Sequence, residues 1–264
     1  MRDSGDEWQV VLQTDHAALA GQFAEAWGGE GFDPLRPRHQ VVAATARHDD
    51  GWAVWERAPS LLSRDGAVEP RDFLDVQVLS HLALYRAQIA AVLDDDPYAG
   101  LLVSMHARGI YNHRNGTDPG LVLTFAGSEQ RAVDAFVAEQ EQLQAQLIDE
   151  HQIPEDERWA NYKLLQIFDR LSLYFCMKDL QAGEPSTLAP VPIRYGSQDT
   201  TELKIEPDSA WRVRMDPFPF EGSEASFTVL RRTLPKRSWS DVEEFRREFF
   251  DNPPQEQPIV IAAA

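Results

Sequence analysis

The chain has 264 residues but a single cysteine, Cys176, and no apolar run near the roughly 20 residues that a membrane-spanning helix needs. One cysteine excludes an internal disulfide and any zinc site built from several thiolates. Its setting, LSLYFCM, is apolar, so the thiol reads as a core residue rather than a nucleophile. Positive charge is also scarce: 25 Lys and Arg stand against 43 Asp and Glu, a formal net charge of −18. A field of that sign repels phosphate backbones and anionic lipids, which argues against nucleic acid and membranes as partners. The acidic excess itself reads most simply as a solubility or salt-adaptation feature. The opening residues, MRDSGDEWQVVLQTDH, contain no apolar stretch followed by a small-residue cleavage site, so a cytoplasmic location is expected. P-loop, GxGxxG, GxSxG and HExxH signatures are all missing, which leaves nucleotide-binding folds, serine hydrolases and zincins without support.

What is present is a globular composition, 43% hydrophobic and 10% aromatic. A strand-like segment at residues 8–13 leads to Thr14 and Asp15, helix N-cap residue types, and a helix over residues 16–27 that Gly28, Gly29 and Gly31 stop. Further helices are expected over residues 38–49, 72–93, 98–112, 129–151 and 156–180, with DDDP and NGTDPG as breaks. Beyond residue 183, Pro and Gly become frequent and short β-type runs take over: PVPIRY, TELKIE, WRVRM and SFTVLRR. A last helix over residues 240–250 and an apolar tail, IVIAAA, follow. The expected fold is therefore mainly α: a helical metal-binding domain over residues 1–182 and a β-rich region over 183–264 packed on it. That region is expected to act as a lid, to bury an apolar face of the bundle, or to form a homodimer contact.

Seven histidines, His16, His39, His48, His81, His106, His113 and His151, are spread over the helical part. The sequence ARHDDGW sets His48 and Asp49 side by side at a predicted helix end, with His16 upstream, His81 and His106 on two later helices, and Asp169 in FDRLSLY. Side chains from facing helices of a bundle can converge on metal ions.

This order resembles the HD-domain superfamily, named for such a His-Asp pair, over about residues 10–180. The whole chain also resembles an uncharacterised bacterial family with the motifs TDHAALA and HDDGW. The HD resemblance implies a helical bundle and, with His81 and His106, the subset holding two metal ions on His16, His48, Asp49, His81, His106 and Asp169, with Asp49 bridging. Four neutral imidazoles and two carboxylates would leave two divalent ions with a net charge of about two. Nitrogen-rich ligation suits iron, and also manganese, cobalt or zinc. Two activities follow from the resemblance: a di-iron oxygenase using dioxygen on a small organic substrate, or a phosphohydrolase or phosphodiesterase. A non-catalytic metal-binding protein is the third reading.

Many HD enzymes carry Lys or His three residues after the HD aspartate, where Trp52 stands here. This departure weakens the phosphate reading, because an indole offers one N–H and an apolar wall. Trp52 reads either as part of a pocket for an apolar or aromatic substrate or as a brace for the HD turn. His113, seven residues after His106, shares its face if the helix persists, and is a candidate catalytic residue with Tyr162 and Arg170. Tyr85, Arg114 and Gln166 are candidates for substrate contact. For each, an ordinary core, surface or salt-bridge role is the alternative.

Overall fold

Apolar residues recurring every three or four positions drive the helices of the first two thirds of the chain. The computed structural model describes residues 2–64, 67–117, 123–177, 184–209 and 211–264. Its helices are α1 (Gln13–Ala26), α2 (Arg38–Ala46), the single turn α3 (Ala53–Glu56), α4 (Val78–Asp95), α5 (Pro97–Tyr111), α6 (Gly127–His151), α7 (Glu155–Met177) and α8 (Val242–Asp251). Strands are β1 (Arg2–Ser4), β2 (Glu7–Val10), β3 (Leu61–Arg64), β4 (Ala67–Pro70), β5 (Ser186–Pro192), β6 (Thr200–Ser209), β7 (Arg212–Asp216), β8 (Glu224–Pro235) and β9 (Gln255–Ala263). The protein is thus predominantly helical with a distinct β region. Residues 178–180 of the expected last bundle helix, residues 118–120 of the expected turn and the expected boundary at 182/183 lie outside the described residues.

Local chemistry explains most helix ends. Asp96 accepts from the backbone N–H groups of Tyr98 and Ala99, and Pro97 occupies the first turn, so α5 starts where its unpaired donors are capped. Asp72 and Asp75 form a reciprocal capping box, but around the short 3₁₀ turn Phe73–Asp75. The chain extends again at Val76, and α4 begins only at Val78 rather than at residue 72. At α1 the expected caps, Thr14 and Asp15, lie inside the helix, whose N-cap is Leu12. The capping oxygens come instead from Glu56, which accepts from the Gln13 backbone N–H and, at 2.9 Å, from the Thr14 hydroxyl.

Helix α1 lies across α2 and α7, while α5 packs against α2, α4, α6 and α7. The seven-stranded sheet runs β1-β2-β8-β9-β7-β6-β5, and β3-β4 form a separate hairpin. All neighbours in the large sheet are antiparallel except β7 and β9, and β9 is sandwiched between β7 and β8. The IVIAAA run therefore supplies an interior strand, with Ile259 and Ile261 fully buried. The N-terminal strands join the same sheet, with Trp8 opposite Leu234 across β2 and β8. The sheet packs on α1 through β8 and on α7 through β5. Phe23 of α1 meets Phe227 of β8 edge-on, with ring centroids 4.7 Å apart. Among the described residues no helix is long and apolar enough to cross a membrane.

Candidate metal centre

The His-Asp pair sits in a turn, not on a helix. Helix α2 ends at Ala46, the chain turns through Arg47, His48 and Asp49, and a 3₁₀ turn, Asp50–Trp52, follows. Gln88 of α4 holds this turn: its amide nitrogen donates to the carbonyls of Arg47 and His48, and its oxygen accepts from the Gly51 N–H at 3.1 Å. A Cβ at Gly51 would lie 2.6 Å from the Leu84 carbonyl oxygen, so α4 approaches too closely for any side chain there.

Five buried side chains converge: His16 from α1, His48 and Asp49 from the turn, His106 from α5 and Asp169 from α7. They form two groupings with ligand atoms within 4.8 Å of one another, His16–His48–Asp49 and His48–His106–Asp169. Hydrogen bonds fix which nitrogen each ring offers. The His48 Nδ1 lies 2.7 Å from the Thr45 carbonyl oxygen and must donate to it. Its Nε2 is buried without a hydrogen bond, 3.5 Å from Asp169 Oδ1 and 3.9 Å from Asp49 Oδ2. Ser172 donates its hydroxyl to the Asp169 carbonyl, so it accepts from His16 Nδ1 at 2.8 Å. In the neutral ring the His16 Nε2 lone pair then faces Asp49 Oδ2 at 3.0 Å, a pair that either a proton on Nε2 or a metal ion reconciles. Carbonyl and hydroxyl partners on the remote ring nitrogen are the usual support of a metal-ligating histidine. The orphaned His48 nitrogen and this donor set fit a divalent ion.

His48 belongs to both groupings but has one nitrogen to offer, and one lone pair serves one ion. His106 differs from the other two imidazoles. Arg114 donates to Gln166 Oε1, which turns the Gln166 amide nitrogen toward His106 Nδ1 at 2.9 Å. Neutral His106 therefore accepts on Nδ1 and carries its hydrogen on Nε2.

The electrostatics agree. Burial works against a charged His48, yet the Asp49 and Asp169 carboxylates overcome it and hold its pKa up at about 9. Burial likewise opposes the Asp49 carboxylate, but His48 and His16 hold it down at about 2, and Asp169 is held well below the usual carboxylate range against the same penalty by His48 and Arg114. Burial, with the nearby His48, depresses His106 to about 3, which keeps it neutral. A proton on His48 thus supplies part of the positive charge that the two buried carboxylates require.

The centre opens onto a cavity of about 610 Å³. Trp52, Tyr85, His81 and Arg114 line it with every cluster residue but the fully buried His48, and Phe73, Ile110, Phe125 and Leu173 add apolar wall. Tyr85 donates to Asp49 Oδ1 at 2.9 Å. His81 stands outside both groupings, with Nδ1 2.5 Å from the Tyr111 hydroxyl and Trp52 tilted against its ring at 5.1 Å. Burial lowers its pKa to about 4. Arg114 also reaches Asp169 Oδ2 at 3.4 Å.

The remaining candidates lie elsewhere. Helix α5 ends at Tyr111, and His113, Arg114 and Asn115 adopt left-handed φ values of 54°, 49° and 53°, so the His106 face does not extend to His113, which is exposed. Arg170 donates to the Ala189 carbonyl at 3.1 Å, which directs it toward β5. Tyr162 is buried on α7 and does not line the cavity; its hydroxyl fills the space left by the missing side chain of Gly109. Thr45, Gln88, Ser172 and Tyr111, which orient the cluster and the cavity wall, escaped the sequence reading. Ser172 stands one helical turn after Asp169 on α7, and that spacing was the available signal for it, whereas Thr45 acts through its backbone carbonyl, which no residue type announces.

No curated protein and no solved structure matches this chain. A family model described as "Protein of unknown function (DUF3891)" matches residues 1–236. That span includes every residue of the cluster and its cavity, and the chain accordingly belongs to the DUF3891 family.

Proposed function

We propose that this chain is a metal-dependent oxygenase acting on a small organic substrate, with iron as the metal. The observation that carries the reading is the buried His16–His48–Asp49 grouping, whose His16 and Asp49 line a largely apolar cavity. Two histidines and one carboxylate, with positions left for other ligands, are the donor set of non-haem iron oxygenases. His16, His48 and Asp49 would hold the ion, with Asp169 3.5 Å from the His48 Nε2, and the bound ion would supply a site for dioxygen activation. Thr45 and Ser172 fix the ring nitrogens, Tyr85 holds Asp49 Oδ1, and His106 presents an N–H to whatever binds beside the ion. The apolar walls exclude water and hold the substrate's body. A second ion, as the HD resemblance implies, would need donors beyond the single His48 nitrogen, and His81, which lines the same cavity, is the one that resemblance names.

Arg114 supports a second reading, a phosphohydrolase, because it sets a guanidinium at the cavity floor. Anaerobic purification, iron loading, metal analysis by mass spectrometry and oxygen-electrode measurements with a panel of organic acids separate the two. Bound iron with substrate-dependent oxygen uptake is the expected result. Turnover of nitrophenyl phosphate with manganese, indifferent to oxygen, would establish the hydrolase instead, and failure to bind any metal would overturn both.

A further inference from the structure

The cavity is largely apolar, and its polar lining includes residues of the His/Asp cluster with Arg114, besides Gln13, Gln77, Tyr111 and the exposed Glu129. His16, Asp49, His106, Asp169 and Arg114 make its floor, whereas Trp52, Phe73, Ile110, Phe125 and Leu173 make its walls. Apolar character continues to the mouth, where Leu74 and Leu123 line the cavity while 71% and 44% exposed. Large apolar side chains left in water around an opening mark a surface that a ligand covers. A volume of about 610 Å³ is in the range that buries most of a drug-sized molecule.

The floor specifies the head of such a ligand. With one divalent ion in place of the His48 proton, the ion and Arg114 contribute three positive charges against the two of Asp49 and Asp169, leaving about one net positive charge. His106 adds a neutral N–H donor, fixed through Gln166 and Arg114. Both features match an oxygen anion. A bulky phosphate or sugar would strip water from its other polar groups against mainly apolar walls, where Trp52 offers a single N–H, whereas a monocarboxylate carries its polarity at one end.

We infer that this site binds an amphipathic monocarboxylate, with its carboxylate on the metal and His106 and an apolar body of about ten carbons along Trp52, Phe73 and Phe125 toward Leu74. The carboxylate contact rests on the metal reading above; the apolar-body contact does not.

Calorimetric titration of the full chain with hexanoate, octanoate, decanoate and decan-1-ol, in manganese-loaded and metal-stripped forms of measured metal content, tests it. Each added methylene is expected to tighten binding about threefold in both forms. Decanoate should bind at least tenfold tighter than decan-1-ol in the loaded form only, and Leu74→Asp, at an exposed position that folding tolerates, should weaken decanoate at least tenfold without changing metal content. Equal affinity for hexanoate and decanoate, or no binding to protein shown to hold metal, overturns the inference. Loss of the decanoate preference in loaded protein overturns the carboxylate head. Protein that takes up no metal but keeps the chain-length series overturns the metal reading while upholding the apolar body.

Discussion

The helical and β regions bury different chemistry. Among the described residues, every buried polar or charged side chain lies between Gln13 and Ser172, and the sheet beyond residue 183 buries apolar side chains such as Val213, Phe227, Ile259 and Ile261. Cavity-lining residues follow the same division, none of them beyond Met177. Buried polar groups cost stability unless each is partnered, while buried apolar area stabilises without directional demands. The sheet therefore acts as the apolar backing of α1 and α7, and the bundle carries the costly polar groups, the His/Asp cluster among them. A lid formed by the described β strands is not how this cavity is enclosed.

The sharpest test of that division is His48→Ala. It removes the nitrogen common to both groupings, and metal analysis should show stoichiometric binding abolished in folded protein; retained stoichiometry would break the assignment of the site to the turn. Next is Ile261→Ala, a fully buried change in the sheet, which should lower unfolding free energy in urea by about 2–5 kcal/mol yet leave metal content per folded chain unchanged. Loss of metal in that variant would show that the backing and the centre are not separable. Ser172→Ala removes the partner of His16 Nδ1 and should weaken metal affinity by about 10–100-fold, read by competition with a chromophoric chelator.

The smallest effect concerns Glu56, whose pKa burial raises to about 7 from 4.5. The folded protein then holds this proton more tightly than the unfolded chain. The contribution is complete below about pH 4.5 and is lost as pH rises through about 7, with a slope of at most about 1.4 kcal/mol per pH unit. Glu56→Gln should flatten that part of the stability–pH curve, measured by urea unfolding from pH 4 to 8; an unchanged curve would remove Glu56 from the account.

Helices α5, α6 and α7 were legible because their apolar periodicity and breaks are local. The residues His16, His48, Asp49, His106 and Asp169 were legible as a set through the adjacent His-Asp pair and the order of the others. The rest depends on contacts that no short window contains. Glu56 caps a helix 43 residues earlier, and Ser172 supports a histidine 156 residues away. His81 looked like His106 in sequence, yet Tyr111, 30 residues on, engages it and Gln166 engages His106. The pairing of β2 with β8 was invisible for the same reason, since nothing in Glu7–Val10 names its partner. His113 misled because it lies past the end of α5 in a left-handed turn that Asn115 and Gly116 announce only two residues later.

Strand β8 holds β2 on one side and β9 on the other, so two stretches far apart in sequence are fastened to a single ribbon. Seen mechanically, β8 is a clasp. A pull applied at residues 7 and 263 loads the β2–β8 and β8–β9 ladders first, and tension reaches α1 and the centre beyond it only after one of them ruptures. The helical half of the molecule, which holds the His/Asp cluster, is thereby shielded from strain entering along the chain.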